Sequence, residues 1–183
     1  MKITGIEPIV VAVTERGDWV FVLVHTDAGI TGLGEASHSL NDALVVATLR
    51  VFEERLVGQD PLAIRSNWRT LSGVRGGRIT HTALSAVDQA LWDILGQHLD
   101  VPLHVLFGGA VRDRLRLYAN INRHVRDRSP EGFARAAAQA VDEGFTAIKL
   151  APFDELRAPD HIRTGPRAAW RRGVERVRAV REA

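Results

Sequence analysis

ALSAVDQALWDILGQHLDVPLHVLFGG, residues Ala83 to Gly109, is the stretch from which the rest of the chain is read. Ala83, Leu84, Val87, Ala90, Leu91, Ile94 and Leu95 recur at the spacing of one helix face, so a long amphipathic helix is expected. Asp100 and Pro102 punctuate its end, because proline lacks the N–H and crowds the preceding turn. Gly108 and Gly109 then make a hinge. Asp88 lies at the edge of the apolar arc and Asp93 on the polar side. A carboxylate at such an edge needs a hydrogen-bond partner, since an unpaired buried charge is costly, and a helix cap or an inter-helix bond is expected for Asp88.

Upstream, Lys2–Thr14, Asp18–Thr26 and the segment from Ile30 are rich in β-branched residues and read as strands. Asp27-Ala28-Gly29 is a tight turn between the last two, which makes an antiparallel meander. Asn41–Val57 reads as a helix capped by Asn41 or Ser39, with Val45, Val46, Leu49, Phe52 and Leu56 inside and Gly58 ending it. A shorter helix follows Pro61, with Ile64, Trp68 and Leu71 at helical spacing. Ser72–Arg78 is a glycine-rich loop without the spacing of a phosphate-binding loop.

Downstream of the hinge the pattern changes. Arg112–Asn122 reads as a strand with Leu115, Leu117, Ala119 and Ile121 on one face and Arg116, Tyr118, Asn120 and Asn122 on the other. Ser129-Pro130 starts a helix through Phe133, Ala136, Ala137, Ala140 and Val141, and Gly144 stops it. Phe145–Ala151 is a second strand, so the span is a βαβ unit with parallel pairing. Gly165–Ala183 is a final helix with Ala169, Val174, Val177 and Val180 inside and its arginines outside. The fold class expected is an α+β domain over residues 1–109, then the first β/α units of a barrel over 110–183.

Composition narrows the function classes. The hydrophobic fraction of 45% and charged fraction of 25% are those of an ordinary globular chain. No cysteine is present, so disulfides and thiolate metal sites are excluded. The first ten residues lack a signal peptide's apolar core, no apolar run reaches membrane-spanning length, and a cytoplasmic location is the default expectation. The arginines from Arg157 to Arg181 raise an anionic polymer as a partner, but only Trp170 accompanies them, and a solvated helix face is the plainer reading. Neither nucleic acid nor membrane is expected as a partner.

Lys149 stands out. In AIKLA, Ile148 and Leu150 belong against the crossover helices, so Ala147, Lys149 and Ala151 take the opposite face. A lysine in an otherwise apolar strand has a task or a partner, either a reacting anion or a structural carboxylate. Asn120 and Asn122 share the inward face, to hydrogen-bond sugar hydroxyls or to close a loop. Arg123 and His124 follow with no role singled out by spacing.

The motifs AxSAVDxALWDIxG and VPLxxLFGG, with VxVxTDxGxxGxGE upstream, resemble the enolase superfamily in its mandelate racemase and muconate lactonizing enzyme branch. The resemblance implies a capping, substrate-specificity domain over 1–109 and a barrel domain, of a TIM type, begun over 110–183. It implies proton abstraction α to a carboxylate, with Mg2+ held by carboxylates on later barrel strands, beyond Ala183. Many members carry Lys-x-Lys at the end of this strand; here Lys149 is followed at the second position by Ala151. Lys149 then becomes a catalytic positive charge beside the substrate carboxylate or enediolate, and the base lies elsewhere. In the family two loops of the capping domain close the barrel mouth; here they are Thr14–Asp18 and Ala36–Asn41, with Glu35, Ser37 and His38 as candidate contacts.

The expected substrate is a small carboxylate, a sugar acid, and the expected enzyme an acid-sugar dehydratase, a hydro-lyase. A racemase or cycloisomerase is the alternative within the family, and a non-catalytic or anionic-polymer-binding fragment the alternative outside it. The chain reads as truncated: alone it should be inactive, should not hold magnesium, and should leave Val174 and Val177 poorly buried. A homo-oligomer is expected.

Overall fold

The computed structural model describes residues 1–14, 17–38, 40–122, 125–153 and 166–183. The readings made at Ser39, Arg123, His124, Arg157, Arg163 and Gly165 lie outside the described residues. The chain divides into two compact units, Met1–Val111 and Arg112–Ala183.

In the first unit, β1 (Ile3–Thr14), β2 (Gly17–Thr26) and β3 (Thr31–Glu35) form an antiparallel sheet in the order β1-β2-β3. Gly29 takes φ +75° in the turn before β3, a conformation that glycine adopts without steric cost. Alternation puts Val20, Val22 and Val24 on the inner face, where all three are buried. Helices α1 (Asp42–Leu56), α2 (Ile64–Ser72), α3 (Gly77–Leu99) and α4 (Leu103–Leu106) complete the unit. Val45, Leu49, Phe52 and Leu56 of α1 and Ala83, Ala86, Val87, Ala90, Leu91 and Ile94 of α3 join the strands in one core. Asn41 occupies the cap position of α1, where its main-chain carbonyl accepts from the Leu44 and Val45 N–H groups (both 3.0 Å), but its side chain makes no capping bond. On α2 the buried residues are Ile64, Asn67 and Leu71, whereas Trp68 is half exposed. The Asn67 amide donates to the Asp60 carbonyl (2.8 Å), and this bond turns Asn67 inward in place of the tryptophan.

Small residues set how α3 meets the sheet. A Cβ on Gly34 would overlap the Ala86 carbonyl oxygen, and one on Gly32 would overlap that of Ala90. The free edge of β3 is covered by a row of α3 side chains at four-residue spacing. Gln89 Oε1 accepts from the Glu35 N–H (3.2 Å), Asp93 Oδ2 accepts from the Leu33 N–H (2.9 Å), and Gln97 Nε2 donates to the Thr31 carbonyl (2.8 Å). Edge strands left bare are templates for pairing with other chains, and this row blunts that edge.

The second unit comprises β4 (Ala119–Asn120), α5 (Pro130–Asp142), β5 (Ile148–Lys149) and α6 (Pro166–Glu182). β4 and β5 are parallel, as the βαβ reading requires. Ser129 caps α5 through its Oγ, which accepts from the Gly132 N–H (3.0 Å), with Pro130 beginning the helix. Ile121, Phe133, Ala137 and Ala140 form the core, with Ile148, Leu150 and Val180 against them.

Two expectations are corrected here. The strand expected over Arg112–Asn122 is confined to Ala119–Asn120, and Leu115 and Leu117 are 76% and 70% exposed. A strand extends only as far as a neighbour accepts its hydrogen bonds, and along this one they run from Ala119 N–H to Ala147 O and from Ile121 N–H to Lys149 O. On α6, Arg176, expected outside with the other arginines, faces inward at 2% exposure, while Val174 and Val177 are 50% and 44% exposed, as expected for this chain on its own. Gly173 and Arg176 turn that helix: the Phe153 ring fills the space a Cβ on Gly173 would need, and the Arg176 guanidinium reaches main-chain carbonyls below.

Candidate functional site

The β4–β5 pair fixes the face on which Lys149 lies. In the parallel register Asn120 stands beside Lys149, and Ala119 beside Ile148. Ile148 and Leu150 pack against the core under α5 and α6, so Lys149 takes the other face and is exposed there. Tyr118 shares that face: Lys149 Nζ lies 5.8 Å from the centre of its ring, within reach of the ring's negative face. A cation, a phenol and an amide thus stand together on the side of the strand pair away from the helices.

Asn122, two residues beyond Asn120, is occupied differently. Its Oδ1 accepts from the Ala151 N–H (3.2 Å) and from Nη1 and Nη2 of Arg128 (both 3.2 Å). The Asn122 side chain therefore ties the chain leaving β4 to the chain leaving β5. Arg128 also donates to the Asn122 carbonyl (2.9 Å) and the Ala151 carbonyl (3.3 Å). Arg176 donates through Nε to the Arg128 carbonyl (2.6 Å) and through Nη1 to the Pro152 carbonyl (2.8 Å). Both guanidinium groups lie over the Phe133 ring, at 4.6 and 5.4 Å. Hydrogen bonds from Ser129, and then the Arg135 guanidinium, hold the Asp127 carboxyl below the usual carboxylate range.

In the capping unit, Ser37 Oγ accepts from the Val20 N–H (3.2 Å) and donates to Glu35 Oε1 (2.7 Å). The His38 ring is partly buried, and its Nε2 is shielded from solvent with no hydrogen-bond partner among the described residues. Asp42 Oδ1 is likewise buried and unsatisfied, while its Oδ2 accepts from the Asp18 N–H (3.3 Å). Asp88 does not form the expected cap or inter-helix bond. Among the described residues no hydrogen bond reaches it; burial pushes its carboxyl above the usual carboxylate value, against the opposing charge of Arg65.

Among the described residues, no group of three or more His, Asp or Glu side chains is placed to hold a metal ion. These residues do not fit a magnesium site.

The pattern of the mandelate racemase / muconate lactonizing enzyme N-terminal domain matches residues 2–108. The chain belongs to this family. Its capping domain is thus the unit with the β1-β2-β3 sheet, and the relatives extend the likeness into the second unit. The D-galactonate dehydratase of Verminephrobacter eiseniae is 38% identical over 165 residues, which are 88% of this chain and 42% of that protein. A solved structure from Mesorhizobium loti superposes with a TM-score of 0.87 at 37% identity, covering 100% of this chain and 50% of its own. A member of the enolase superfamily from Salmonella Typhimurium superposes at 0.83 with 29% identity, covering 100% and 51%. The chain spans about half the length of the relatives it matches.

Arg128 and Arg176 were not legible as site-building residues. Nothing in a helix carrying Arg171, Arg172, Arg176, Arg178 and Arg181 separates Arg176 from the rest, except a glycine three residues before it. Alternation puts Tyr118 on the same face as Asn120, and no sequence signal marks its contact with Lys149.

Proposed function

We propose that this stretch belongs to an acid-sugar dehydratase whose substrate is D-galactonate or a closely similar sugar acid. The reaction removes the proton α to the carboxylate and expels the hydroxyl from the β carbon as water. The resulting enol rearranges to a 2-keto-3-deoxy acid, so one substrate gives one product and one water. The observation that carries the reading is the shared face of Tyr118, Asn120 and Lys149; the D-galactonate dehydratases among the relatives supply the substrate class.

Lys149 is the catalytic cation in this reading. Its ammonium group neutralises the substrate carboxylate, and the charge that accumulates there as the α proton leaves. Asn120 donates to a sugar hydroxyl from the neighbouring strand position. His38, on the Ala36–Asn41 loop of the capping unit, is a further proposed substrate contact, by likeness to the loops that close the barrel mouth in the family. Ala151 stands where many members carry a second lysine, so the base comes from outside these strands. Likeness to the family implies magnesium, and no step here is routed through it. A homo-oligomer and a cytoplasmic location remain part of the proposal.

The test is a screen of sugar acids with added magnesium, reading formation of 2-keto-3-deoxy acid. It uses the chain alone and the chain completed with the later part of the Verminephrobacter eiseniae enzyme. The completed protein should convert D-galactonate. Failure on every sugar acid, or turnover of a substrate without a carboxylate, overturns the reading.

A further inference from the structure

Beyond the strand ends, the carbonyls of Asn122, Ala151 and Pro152 leave the β4–β5 ladder, and all three accept from arginine. Arg128 bridges the exits of both strands. Arg176 holds Arg128 by its main chain and Pro152 by the same route, from a position on α6 that is 2% exposed. The Phe133 ring lies under both guanidinium groups and closes them off from the core. A second contact ties α6 to the same strand exit: the Phe153 ring occupies the space above Gly173 and meets the Trp170 ring at a 50° tilt, 5.3 Å between centres.

We propose that Arg176 and Arg128 are positioning residues for Lys149, acting through the main chain of Ala151 and Pro152 and through the Asn122 side chain. Resting on the reading of Lys149 as the catalytic cation, this inference assigns Asn122 to the clamp rather than to the substrate. The chemistry explains why arginine is used. A guanidinium offers five donors in a fixed fork and stays charged when buried, so one side chain can bind two carbonyls and stack on a ring at once. Carbonyls at the ends of parallel strands otherwise need water, and water would let the two exits slide. Lys149 is two residues before Ala151, so a shift of the exit is passed to its Cα and amplified along a four-carbon stem. Misplacement by about 1 Å can cost on the order of a hundredfold in rate.

The test uses the 183-residue chain and does not require turnover. Nuclear Overhauser contacts between the Lys149 side chain and the Tyr118 ring report the position of the cation. Contacts among Phe133, Ile121 and Ala137 report the core. Arg176→Met fills the same space without the donors. It is expected to abolish the Lys149–Tyr118 contacts, keep the core contacts, and weaken D-galactonate-induced shifts at Lys149 about tenfold or more in half-saturation. Arg176→Lys, which keeps charge and one donor direction, should restore part of both signals. If Arg176→Met loses the core contacts, Arg128→Met and Arg176→Lys carry the same comparison. Lys149–Tyr118 contacts unchanged in variants that retain the core overturn the proposal. A wild-type chain with intact Lys149–Tyr118 contacts and no response to D-galactonate would instead count against the substrate reading, leaving the clamp to be judged on the contacts.

Discussion

Gly34 of β3 lies so close to Ala86 of α3 that a Cβ on the glycine would overlap the alanine's carbonyl oxygen. Backbone meets backbone here, so neither partner can move aside by changing rotamer. Gly34→Ala should destabilise the capping unit by about 1–3 kcal/mol or more, the usual cost of overpacking. Gly29→Ala is the control: it meets open space and carries only the strain of φ +75°, about 1–2 kcal/mol. Thermal unfolding of both variants decides it, and a Gly34→Ala melting temperature equal to wild type would contradict the packing described.

Asp93 covers the Leu33 N–H on the open edge of β3. Asp93→Ala should cost about 1 kcal/mol and bare part of a strand edge. The variant should melt lower and scatter more light than wild type at equal concentration. Unchanged scattering and melting would mean that Gln89 and Gln97 suffice to protect the edge.

Asp88 supplies a pH dependence of definite sign. Burial raises its carboxyl above the ordinary carboxylate value, so the folded state holds this proton more tightly than the unfolded chain does. Stability from this group is fully present below the unfolded value and is lost as the pH rises through the raised folded value. Asp88→Asn removes the ionisation and should raise the melting temperature near neutral pH, relative to wild type, more than it does in acid. A difference between the two proteins that is the same from pH 3 to pH 7 would contradict this.

Much of the fold was legible because its signals are local. The β-branched run marked Asp18–Thr26 as a strand, and period-3.6 spacing placed Val45, Leu49, Phe52, Leu91 and Ile94 inside. Ser129-Pro130 marked a helix start that the Oγ cap realises. Alternation also put Lys149 opposite Ile148 and Leu150. What escaped depends on partners distant in sequence. Leu115 and Leu117 alternate like strand residues, but strand formation there waits on a neighbour. Arg176 bonds carbonyls 24 and 48 residues away, and no helical period distinguishes it from the exposed arginines beside it. Asp93 looked like a surface carboxylate because the strand edge it caps is 60 residues upstream.

In the proposed reaction Lys149 meets the carboxylate of a sugar acid. The most direct measurement is D-galactonate turnover by the completed protein with Lys149 intact and with Lys149→Ala, alongside circular dichroism to verify the fold. Loss of one electrostatic stabiliser of the developing negative charge should lower turnover by on the order of a hundredfold or more while the fold is retained. Equal turnover by the two proteins would contradict the claim and make Lys149 a structural residue.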